Sequence, residues 1–372
     1  MSDHVKLSEV CEILNSNVDK KTKENEQKVK LCNFIDVYNN WAVTKYTSKK
    51  FMTATATQNE INKFSLKKGY VAITKDSETK DDIGVSTYIA DNFDNVLLGY
   101  HCTLLKPNQK VLNGKFLNAY LSSFYGRKYF SNCASGSGQR YTLTIDIIKD
   151  LTIPLINIET QQKIARTLSI LDQKIENNHK INELLHTLAY KIYEYYFKYK
   201  PKNAKLEQII IENPKSSIMV KNAQKTQDKY PFFTSGDNIL SYPKAIIDGR
   251  NCFLNTGGNA GIKFYVGKAS YSTDTWCICA NEFSDYLYLL LSSIKTHINQ
   301  SFFQGTSLKH LQKNLLKKYP IYMPSAHEIK KFNQIIMPLL TLISINTRTS
   351  KKLEQIRDFL LPLLLKQQVK PQ

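Results

Sequence analysis

Two stretches of the chain repeat apolar residues every three or four positions over about four heptads, which predicts long helices packed along a seam. The first seam consists of Ile164, Leu168, Leu171, Ile175, Ile181, Leu185, Leu188 and Ile192. The second consists of Phe332, Ile336, Leu339, Ile343, Leu353, Ile356 and Leu360. Every residue of the second seam lies 168 positions after one of the first. We therefore predict that the two helices are copies and that they pack together.

Each predicted seam also contains an asparagine at the same step. Asn178 and Asn346 are again 168 positions apart. A polar residue in such a seam costs stability but fixes the register, because it is satisfied only opposite a suitable partner. The alternative is two unrelated amphipathic helices, each packed on its own domain, but this alternative does not explain why the polar position shares the offset.

The repeat extends beyond the helices. Upstream of them, Leu143 matches Leu311 and Ile147 matches Leu315 at the same offset of 168. The openings KLSEVCEIL and KLEQIIIEN begin 199 residues apart, so the first globular segment is 31 residues longer than the second. A period this long indicates a duplicated domain, not a solenoid.

The two globular segments are patterned as mixed α+β domains. Short runs rich in Val, Ile, Tyr and Phe, broken by Gly, Asn, Asp and Ser, predict strands within residues 30–110 and 230–280. Short helices are predicted around 114–132 and 284–300. The fold class is therefore α+β, with two globular domains and two long helices.

The ends of the long helices can also be predicted. The first runs from about Glu159 to Phe197, between Pro154 and Pro201. At 1.5 Å per residue it is about 58 Å long, which suits a spacer. The second contains Pro338 and Pro362, each of which is expected to kink or restart the helix.

The composition favours a polyanionic partner. The 372 residues include 51 Lys+Arg and 32 Asp+Glu, for a formal net charge of +19. This balance is typical of proteins that bind nucleic acid or an anionic membrane, although a lysine-rich genome would also raise it. No apolar run is long enough to span a membrane and no signal peptide is recognisable, so we expect a cytoplasmic protein. The 7 Cys are scattered, which predicts neither disulfides nor a structural metal.

No catalytic motif is found. The runs Gly136-Ser137-Gly138 and Gly257-Gly258 match neither a dinucleotide fingerprint nor a Walker loop. No paired metal-ligand pattern occurs among the 7 His, and no amino-methyltransferase tetrapeptide is present. The acidic residues Asp76, Glu78, Asp81 and Asp82 lack a following E-x-K, so we interpret them as a solvated loop instead of a nuclease site.

The polar loops of both globular segments suit DNA, because Lys, Arg, Asn, Gln, Ser and Thr reach phosphates and base edges. The candidates in the first segment are Lys45, Tyr46, Thr53, Thr55, Gln58, Lys75, Ser77, Thr79, Gln139, Arg140 and Tyr141. Those in the second are Thr234, Ser235, Asn238, Arg250, Asn259, Lys263, Thr273, Asp274, Gln304, Thr306 and Ser307. Only a minority of residues in a binding loop make contacts, so the prediction concerns the regions more than any single side chain.

These residues resemble a known family. The stretch LTIPLINIETQQKIARTLSILDQKIENNHKINELLHTLAYKIYEYYF (151–197) resembles the central conserved region of specificity subunits of type I restriction-modification systems. The tail 321–365 resembles the second conserved region, including both interior prolines, and KKGYVAITKDSETKDDIGVSTYIAD, YPFFTSGDN and GKASYSTDTW resemble target recognition domains. The chain departs from the family where Gln161 and Gln162 become Ile329 and Lys330 in the second copy.

The resemblance implies an architecture and a role. Target recognition domains at 1–153 and 201–322 would each read one half of a bipartite duplex DNA site. Antiparallel coiled-coil helices at 154–200 and 323–372 would hold them apart and recruit two modification subunits and the restriction subunits. The S-adenosylmethionine, ATP and Mg would be bound by those partners, and this chain would need no cofactor or metal and would not itself be an enzyme.

Two alternatives belong to other classes. A single-chain restriction-methylation enzyme would carry methyltransferase motifs and would be much longer. A basic scaffold that binds RNA, or no nucleic acid, would share the charge but would not select a duplex sequence.

Overall fold

The chain divides into two units in the computed structural model, which describes residues 3–136, 139–223, 229–236 and 239–368. Unit 1 combines Met1–Gln173 with Ile356–Gln372, and unit 2 is Lys174–Gln355. The first long helix, here the central helix, is Ile158–Tyr193, and the second, the C-terminal helix, is Ala326–Leu365. Each unit therefore contains a globular part and a segment of both helices.

The globular part of unit 1 is built on several small sheets. A five-stranded sheet has the order Cys11–Asn15, Cys102–Pro107, Val71–Thr74, Ser86–Ile89, Ala42–Val43. A three-stranded sheet has the order Met52–Ala56, Gln27–Cys32, Val96–Leu98, and a second one has the order Ser135–Gly136, Tyr141–Thr142, Asp76–Ser77. The strand Asp3–Lys6 pairs antiparallel with Thr152–Leu155. The strands predicted within residues 30–110 are thus present, and the apolar run VLLGYHCTLL (96–105) contributes to two of them, Val96–Leu98 and Cys102–Pro107.

Short helices cover the sheets of unit 1. They are Leu7–Val10, Phe34–Asn39, Gln58–Phe64, Gly114–Ser122, Phe124–Cys133 and Ile145–Asp150, with 3-10 turns at Thr47–Lys50 and Lys80–Asp82. The main core packs Leu105, Phe116 and Phe130 beneath these helices. Gly114–Ser122 and Phe124–Cys133 confirm the helices predicted at 114–132.

The globular part of unit 2 follows the same plan with fewer residues. One sheet has the order Ile211–Glu212, Thr275–Cys279, Arg250–Asn255, Ile262–Val266, and another has the order Leu240–Tyr242, Tyr230–Phe233, Ser270–Tyr271. Two further pairs join Phe303–Gln304 to His310–Leu311 and Ala204–Lys205 to Pro320–Ile321. The helices are Ser284–Ser293, Lys295–Ser301 and Lys313–Lys317, with 3-10 turns at Leu206–Gln208, Val220–Asn222 and Asn281–Phe283 and a π turn at Glu194–Lys198.

In each globular part an equivalent backbone hydrogen bond joins the start of the part to its end, and we call this the closing bond. In unit 1, Leu7 N donates to Leu151 O at 2.8 Å, and in unit 2, Leu206 N donates to Tyr319 O at 2.9 Å. The donors are 199 residues apart and the acceptors 168, which are the two offsets of the sequence repeat. Leu7 and Leu206 are both fully buried. The duplication predicted from sequence is therefore present in the hydrogen bonding.

Within unit 2 the two long helices run antiparallel. Asn178 Nδ2 donates to Ser350 Oγ at 3.2 Å, and Asn346 Nδ2 donates to Asn182 Oδ1 at 2.9 Å. Moving four residues toward the C-terminus of the central helix thus corresponds to moving four residues toward the N-terminus of the C-terminal helix. Ile343 is buried in the same core as Phe332. The predicted seam asparagines do not pair with each other. Each bonds instead to the polar residue four positions after the other asparagine, Ser350 for Asn178 and Asn182 for Asn346.

Within unit 1 the helices pack through apolar and charged contacts. Ile164 and Leu168 of the central helix share one core with Leu361 and Leu364 of the C-terminal helix. Nearby, Arg357 Nη1 lies 3.6 Å from Asp172 Oδ1. The prediction that the two helices pack together is confirmed in each unit taken by itself.

The predicted seam is wrong at three positions. Leu188 is 49% exposed, Ile356 is 38% exposed and Ile181 is 43% exposed. The seam contains Ala189 and Leu340 instead, which are buried. A straight helix has 3.6 residues per turn, so a strict heptad pattern drifts by about 20° per heptad and some of its members turn away from the interface.

The interior prolines do not restart the C-terminal helix. It is continuous through Pro338 and Pro362, and both prolines are exposed. At an exposed position water can bond the carbonyl group that the missing proline N–H leaves free. Of the two outcomes predicted at these residues, the restart is therefore wrong and the kink stays a prediction.

Candidate DNA interface

In unit 1 a polar cluster surrounds the small sheet formed by Asp76–Ser77, Ser135–Gly136 and Tyr141–Thr142. His101 Nδ1 lies 3.0 Å from Asp76 Oδ2 and 3.1 Å from Arg140 Nη2. Gln139 and Arg140 are exposed and line the same shallow cavity as Thr79. The sheet therefore brings together candidates from two distant parts of the sequence.

Two lysines of this cluster lie over aromatic rings. Lys75 Nζ is 4.5 Å from the centre of the Tyr100 ring, and Lys80 Nζ is 5.5 Å from the centre of the Tyr141 ring. Tyr100 is 52% exposed. An exposed aromatic face beside a cation suits a polyanion with stacking bases, because the ring and the charge contact different parts of it.

The acidic turn of this cluster is held by its own hydrogen bonds. Asp82 accepts from Tyr38 OH and from Thr79 Oγ1, both at 2.7 Å. No group of three or more His, Cys, Asp or Glu that could hold a metal ion is found within the described part of the chain. The carboxylates of this turn thus order the loop that carries Thr79.

The remaining candidates of unit 1 lie near the strand Met52–Ala56. Lys45, Thr53 and Gln58 are exposed, and Tyr46 is half-buried. Thr55 is buried and its hydroxyl donates to Glu26 Oε2 at 2.7 Å. The interpretation of Thr55 as a contact residue is therefore corrected, because its hydrogen-bonding capacity is used inside the unit.

Ser77 is corrected for a similar reason. It is 8% exposed and its Oγ accepts from Thr79 N at 3.3 Å. Its place in the Asp76–Ser77 strand turns the side chain inward. Ser77 supports the turn and does not reach outward from it.

In unit 2 several turns meet at one end of the main sheet. Ser235 Oγ donates to Asp274 O, and Thr256 Oγ1 donates to the same carbonyl at 2.8 Å. Gly258 N donates to Lys309 O at 2.9 Å, which brings the hairpin Phe303–Gln304/His310–Leu311 to the same place. The turns that carry most candidates of the second segment are thus mutually bonded.

These turns present polar side chains to solvent. Asn259, Asp274, Gln304, Thr306 and Ser307 are exposed, and Thr273 and Ser235 are half-buried. Their assignment to DNA contacts stays a prediction. Asn238, like Ser137 and Gly138 of the first segment, lies outside the described residues.

Thr234, Lys263 and Arg250 have structural partners. Thr234 is 6% exposed, and its carbonyl accepts from Lys263 Nζ at 2.7 Å. Lys263 Nζ also donates to Gly236 O at 2.6 Å. The proposal that Thr234 contacts DNA is therefore corrected, and Lys263 serves to hold the turn.

Arg250 lies in a strand and not in a loop. Its guanidinium pairs with both carboxylate oxygens of the buried Asp285 and donates to Thr341 Oγ1 at 3.0 Å. Burial raises the pKa of Asp285, and the hydrogen bond from Arg250 partly offsets this. Arg250 attaches the sheet to the C-terminal helix, so its assignment as a DNA contact is corrected.

Some residues of these regions were not predicted. Tyr100, His101 and Lys80 in unit 1 and Leu308, which is 57% exposed, in unit 2 accompany the candidates. The aromatic-basic run Tyr100-His101 after an apolar strand was a usable signal. The contribution of Lys80 depends on strand pairing between Ser77 and Tyr141, which sequence alone does not give.

The thiols offer little reactivity. All 7 Cys are unpaired. Burial raises the pKa of Cys11 to about 12 and also raises those of Cys102 and Cys277. Since the thiolate is the nucleophile, these buried side chains act as small apolar groups.

No helix in the described chain has the length and apolarity needed to cross a bilayer.

Known proteins similar to this chain share one description. Among curated proteins, it is 30% identical over 149 residues to the type I restriction enzyme HindI specificity subunit of Haemophilus influenzae, covering 40% of this chain and 32% of that protein. It is 24% identical over 341 residues to the MjaIX specificity subunit of Methanocaldococcus jannaschii, covering 80% and 74%. The chain thus spans about a third of the first relative.

A solved structure shows the same fold. The crystal structure of a type I restriction-modification system S subunit from M. genitalium matches 98% of this chain and 96% of its own, with a TM-score of 0.57 and 17% identity. The family model described as type I restriction modification DNA specificity domain matches residues 2–187 and 202–355, which include both globular parts. The chain therefore belongs to the type I restriction-modification DNA specificity family and carries the domain of that family twice.

Proposed function

We propose that this DNA-specificity protein is a non-catalytic subunit of a type I restriction-modification complex. Each globular part reads one half of a bipartite duplex site, and the paired helices set the spacing of the halves. The observation that carries this proposal is the duplication itself. Two units with separate cores and separate polar turns repeat the same closing bonds, from Leu7 to Leu151 and from Leu206 to Tyr319.

The charge and chemistry of the turns support DNA as the ligand. Arg140, Lys75 and Tyr100 in unit 1 offer cations and an exposed ring, while Asn259, Gln304 and Thr306 in unit 2 offer neutral donors and acceptors. Both kinds of group contact phosphates and base edges. Because the two sets differ, the two half-sites are expected to differ in sequence.

Catalysis is assigned to partner subunits. We propose that two modification subunits bind S-adenosylmethionine and methylate DNA, and that restriction subunits use ATP and Mg. The exposed apolar residues Leu184, Leu188 and Phe359 of the long helices suit contacts with such partners. This chain would act in the cytoplasm, where the DNA and the partner subunits are.

The alternative function is a basic scaffold or RNA-binding protein. It accounts for the net charge of +19 but not for the duplicated units. Competition between duplex DNA, single-stranded RNA and a random-sequence duplex separates the two functions, because only a specificity subunit retains a sequence preference in the presence of excess competitor.

The test is methylation profiling. The chain is combined with a cognate modification subunit and S-adenosylmethionine, genomic DNA is modified, and modified adenines are mapped by sequencing. We expect one bipartite motif with a fixed gap, and no methyl transfer by the purified chain alone. Methylation without a consensus motif, or transfer by this chain alone, would overturn the proposal.

A further inference from the structure

A groove in unit 2 lies between the strands Tyr230–Phe233 and Leu240–Tyr242 and the C-terminal helix. Its lining includes His179, Lys229, Tyr265, Arg348, Lys351 and Lys352. Among the lining residues that the structure describes, the one acidic residue is Glu354, which pairs with Lys351 at 3.2 Å. Within the described residues, Arg348 and Lys352 have no carboxylate partner, so the groove has an excess of positive charge.

A buried hydroxyl group in this groove has no acceptor. Tyr265 is 2% exposed, and its OH donates to no group among the described residues. Burial raises the pKa of Tyr265, and the charge and hydrogen bonding of Arg348 partly offset this rise. The guanidinium Cζ of Arg348 lies 6.0 Å from the centre of the same ring. A buried donor without an acceptor costs about 1–3 kcal/mol, so the groove retains an unfavourable feature that a bound hydrogen-bond acceptor would remove.

The backbone makes room for the arginine. Gly267 has a φ of +124°, and a Cβ added there would lie 3.2 Å from Arg348 Nη1. Any other residue at this position would be strained and would press against the guanidinium. The strand end at Val266 is also attached to the helix, since Val266 N donates to Ser344 Oγ at 3.0 Å.

The repeat shows that the two lysines of the groove belong to the second half only. Arg348, Lys351 and Lys352 correspond, at the offset of 168, to Lys180, Glu183 and Leu184. Lys180 pairs with Glu176 at 2.6 Å, and Leu184 is 71% exposed. The first copy thus has an acid and an apolar residue where the second has two lysines, so the groove is not a general property of the duplicated helix.

We propose that this groove binds a phosphate of the DNA backbone, outside the turns that read bases. An arginine fork, a lysine and a tyrosine hydroxyl suit a phosphate, because its oxygens accept several charge-assisted hydrogen bonds at once. The proposal rests on the proposed function, and it adds a contact that positions the second half-site without reading its sequence.

The distance to the candidate base-reading turn is consistent with this role. The four-residue strand Tyr230–Phe233 leads from the groove to the turn at Thr234–Gly236. At about 3.3 Å per residue this strand spans about 13 Å. One DNA strand rises about 3.4 Å per nucleotide, so the bound phosphate would be about four nucleotides from the base at the turn.

The test measures DNA binding by the full chain at several salt concentrations. The variant Arg348→Ala/Lys352→Ala removes two groove charges, and the control Lys330→Ala/Lys331→Ala removes two exposed charges from the same helix outside the groove. Affinity for a duplex containing the mapped site is followed by fluorescence anisotropy. We expect the groove variant to bind about tenfold more weakly and its salt slope to fall by about 1–2, with the control unchanged.

Tyr265→Phe gives a second, independent readout. It removes only the unsatisfied hydroxyl, so the melting temperature should stay the same or rise while DNA affinity falls about two- to fivefold. A hydroxyl with a purely structural role would give a fall in melting temperature with unchanged affinity, and that result would count against the proposal.

Other outcomes are also decisive. Equal losses in the groove variant and in the control would show that only net charge matters, and would overturn the groove. A melting shift with inorganic phosphate alone, absent in the groove variant and accompanied by unchanged DNA affinity, would assign the site to a free anion and overturn the DNA contact. If the parent chain shows no preference for its mapped site, the proposed function fails and this inference fails with it.

Discussion

Asn346 donates a side-chain hydrogen bond to Asn182 at 2.9 Å, and the repeat relates this bond to the one from Asn178 to Ser350 at 3.2 Å. Each residue of the first pair lies 168 positions from its counterpart in the second. The helix pair in unit 2 is therefore locally two-fold symmetric about these bonds. A shift by one turn would separate both pairs, so the polar residues fix the register.

The bond between Asn182 and Asn346 can be tested by a double-mutant cycle. We expect Asn182→Ala and Asn346→Ala each to lower the free energy of unfolding by about 1 kcal/mol, because each removes the same hydrogen bond. The double variant should lose less than the sum of the two. Urea unfolding of the full chain measures all three. Strict additivity would show that the two side chains act independently.

Ile343→Asp should disrupt helix packing. Ile343 is 7% exposed, so the change buries a carboxylate in an apolar seam and costs several kcal/mol. Leu171→Asp is expected to act in the same direction. The neighbouring Leu342 is 41% exposed, and Leu342→Asp is the matched control, with a small expected effect. We compare the melting temperatures of the two variants and their assembly with the modification subunit. Equal values for Ile343→Asp and Leu342→Asp would contradict the burial of Ile343 in the helix seam.

Gln161→Leu should destabilise unit 1. The fully buried Gln161 donates to Val111 O at 2.9 Å and to Ile156 O at 2.8 Å, and accepts from Asn113 N at 2.8 Å. Losing these bonds leaves buried backbone groups unsatisfied and should cost about 2–4 kcal/mol. Gln162 is exposed, so Gln162→Leu is the control. Chemical denaturation measures the free energy of unfolding of both variants. If Gln161→Leu is as stable as the parent, water replaces the hydrogen bonds of the amide.

Glu328 should make stability depend on pH at the start of the C-terminal helix. Hydrogen bonds from Lys200 and from Ser325 lower the pKa of Glu328 from 4.5 to about 2. Since the folded pKa is the lower one, this stabilisation is present above pH 4.5 and is lost as the pH falls toward 2. Glu328→Gln should cost about 1–2 kcal/mol near neutral pH and much less in acid.

Melting curves between neutral and acidic pH measure the Glu328 effect. The control is Glu159→Gln, which changes an exposed acidic residue in the first turn of the central helix. A deficit for Glu328→Gln that stays constant as the pH falls would show that the capping carboxylate does not titrate with folding.

Exchanging residues 206–310 for the equivalent segment of a related protein should change one half of the methylated motif and leave the other half intact. The reason is that the closing bond from Leu206 to Tyr319 ties the start of the exchanged segment to the chain shortly after its end. Inserting four residues after His179, about 6 Å of helix, should change the gap or abolish binding instead. Sequencing of modified DNA distinguishes these results, and an exchange that altered both halves would exclude independent reading.

Apolar periodicity predicted the long helices because the apolar residues that each helix buries recur every three or four positions. It placed Ile164 and Ile343 correctly in buried contacts, and it failed at Leu188 and Ile356, which correspond to each other in the repeat and are both exposed. A heptad template assumes 3.5 residues per turn, whereas an unsupercoiled α-helix has 3.6, so a position that fits the template does not always face the partner helix. The same error therefore occurred in both copies.

Polar residues were harder to assign than apolar ones. Thr55, Ser77 and Thr234 have the composition of contact residues but are buried, and Arg250 pairs with Asp285. Whether a polar side chain faces solvent depends on partners far away in the sequence, and no local pattern encodes them. The exchange of Gln161 for Ile329 illustrates this, since one tethers backbone groups and the other fills an apolar core.

The closing bonds of the two globular parts have a consequence for the size of each part. In each part the start and the end are joined by a backbone bond, Leu7 to Leu151 or Leu206 to Tyr319, beside a short pair of strands. The first part accommodates 31 more residues than the second between equivalent contacts. The same closing contact therefore accommodates globular parts of two different sizes within one chain, so the length of a globular part can change without a change in the contact that closes it.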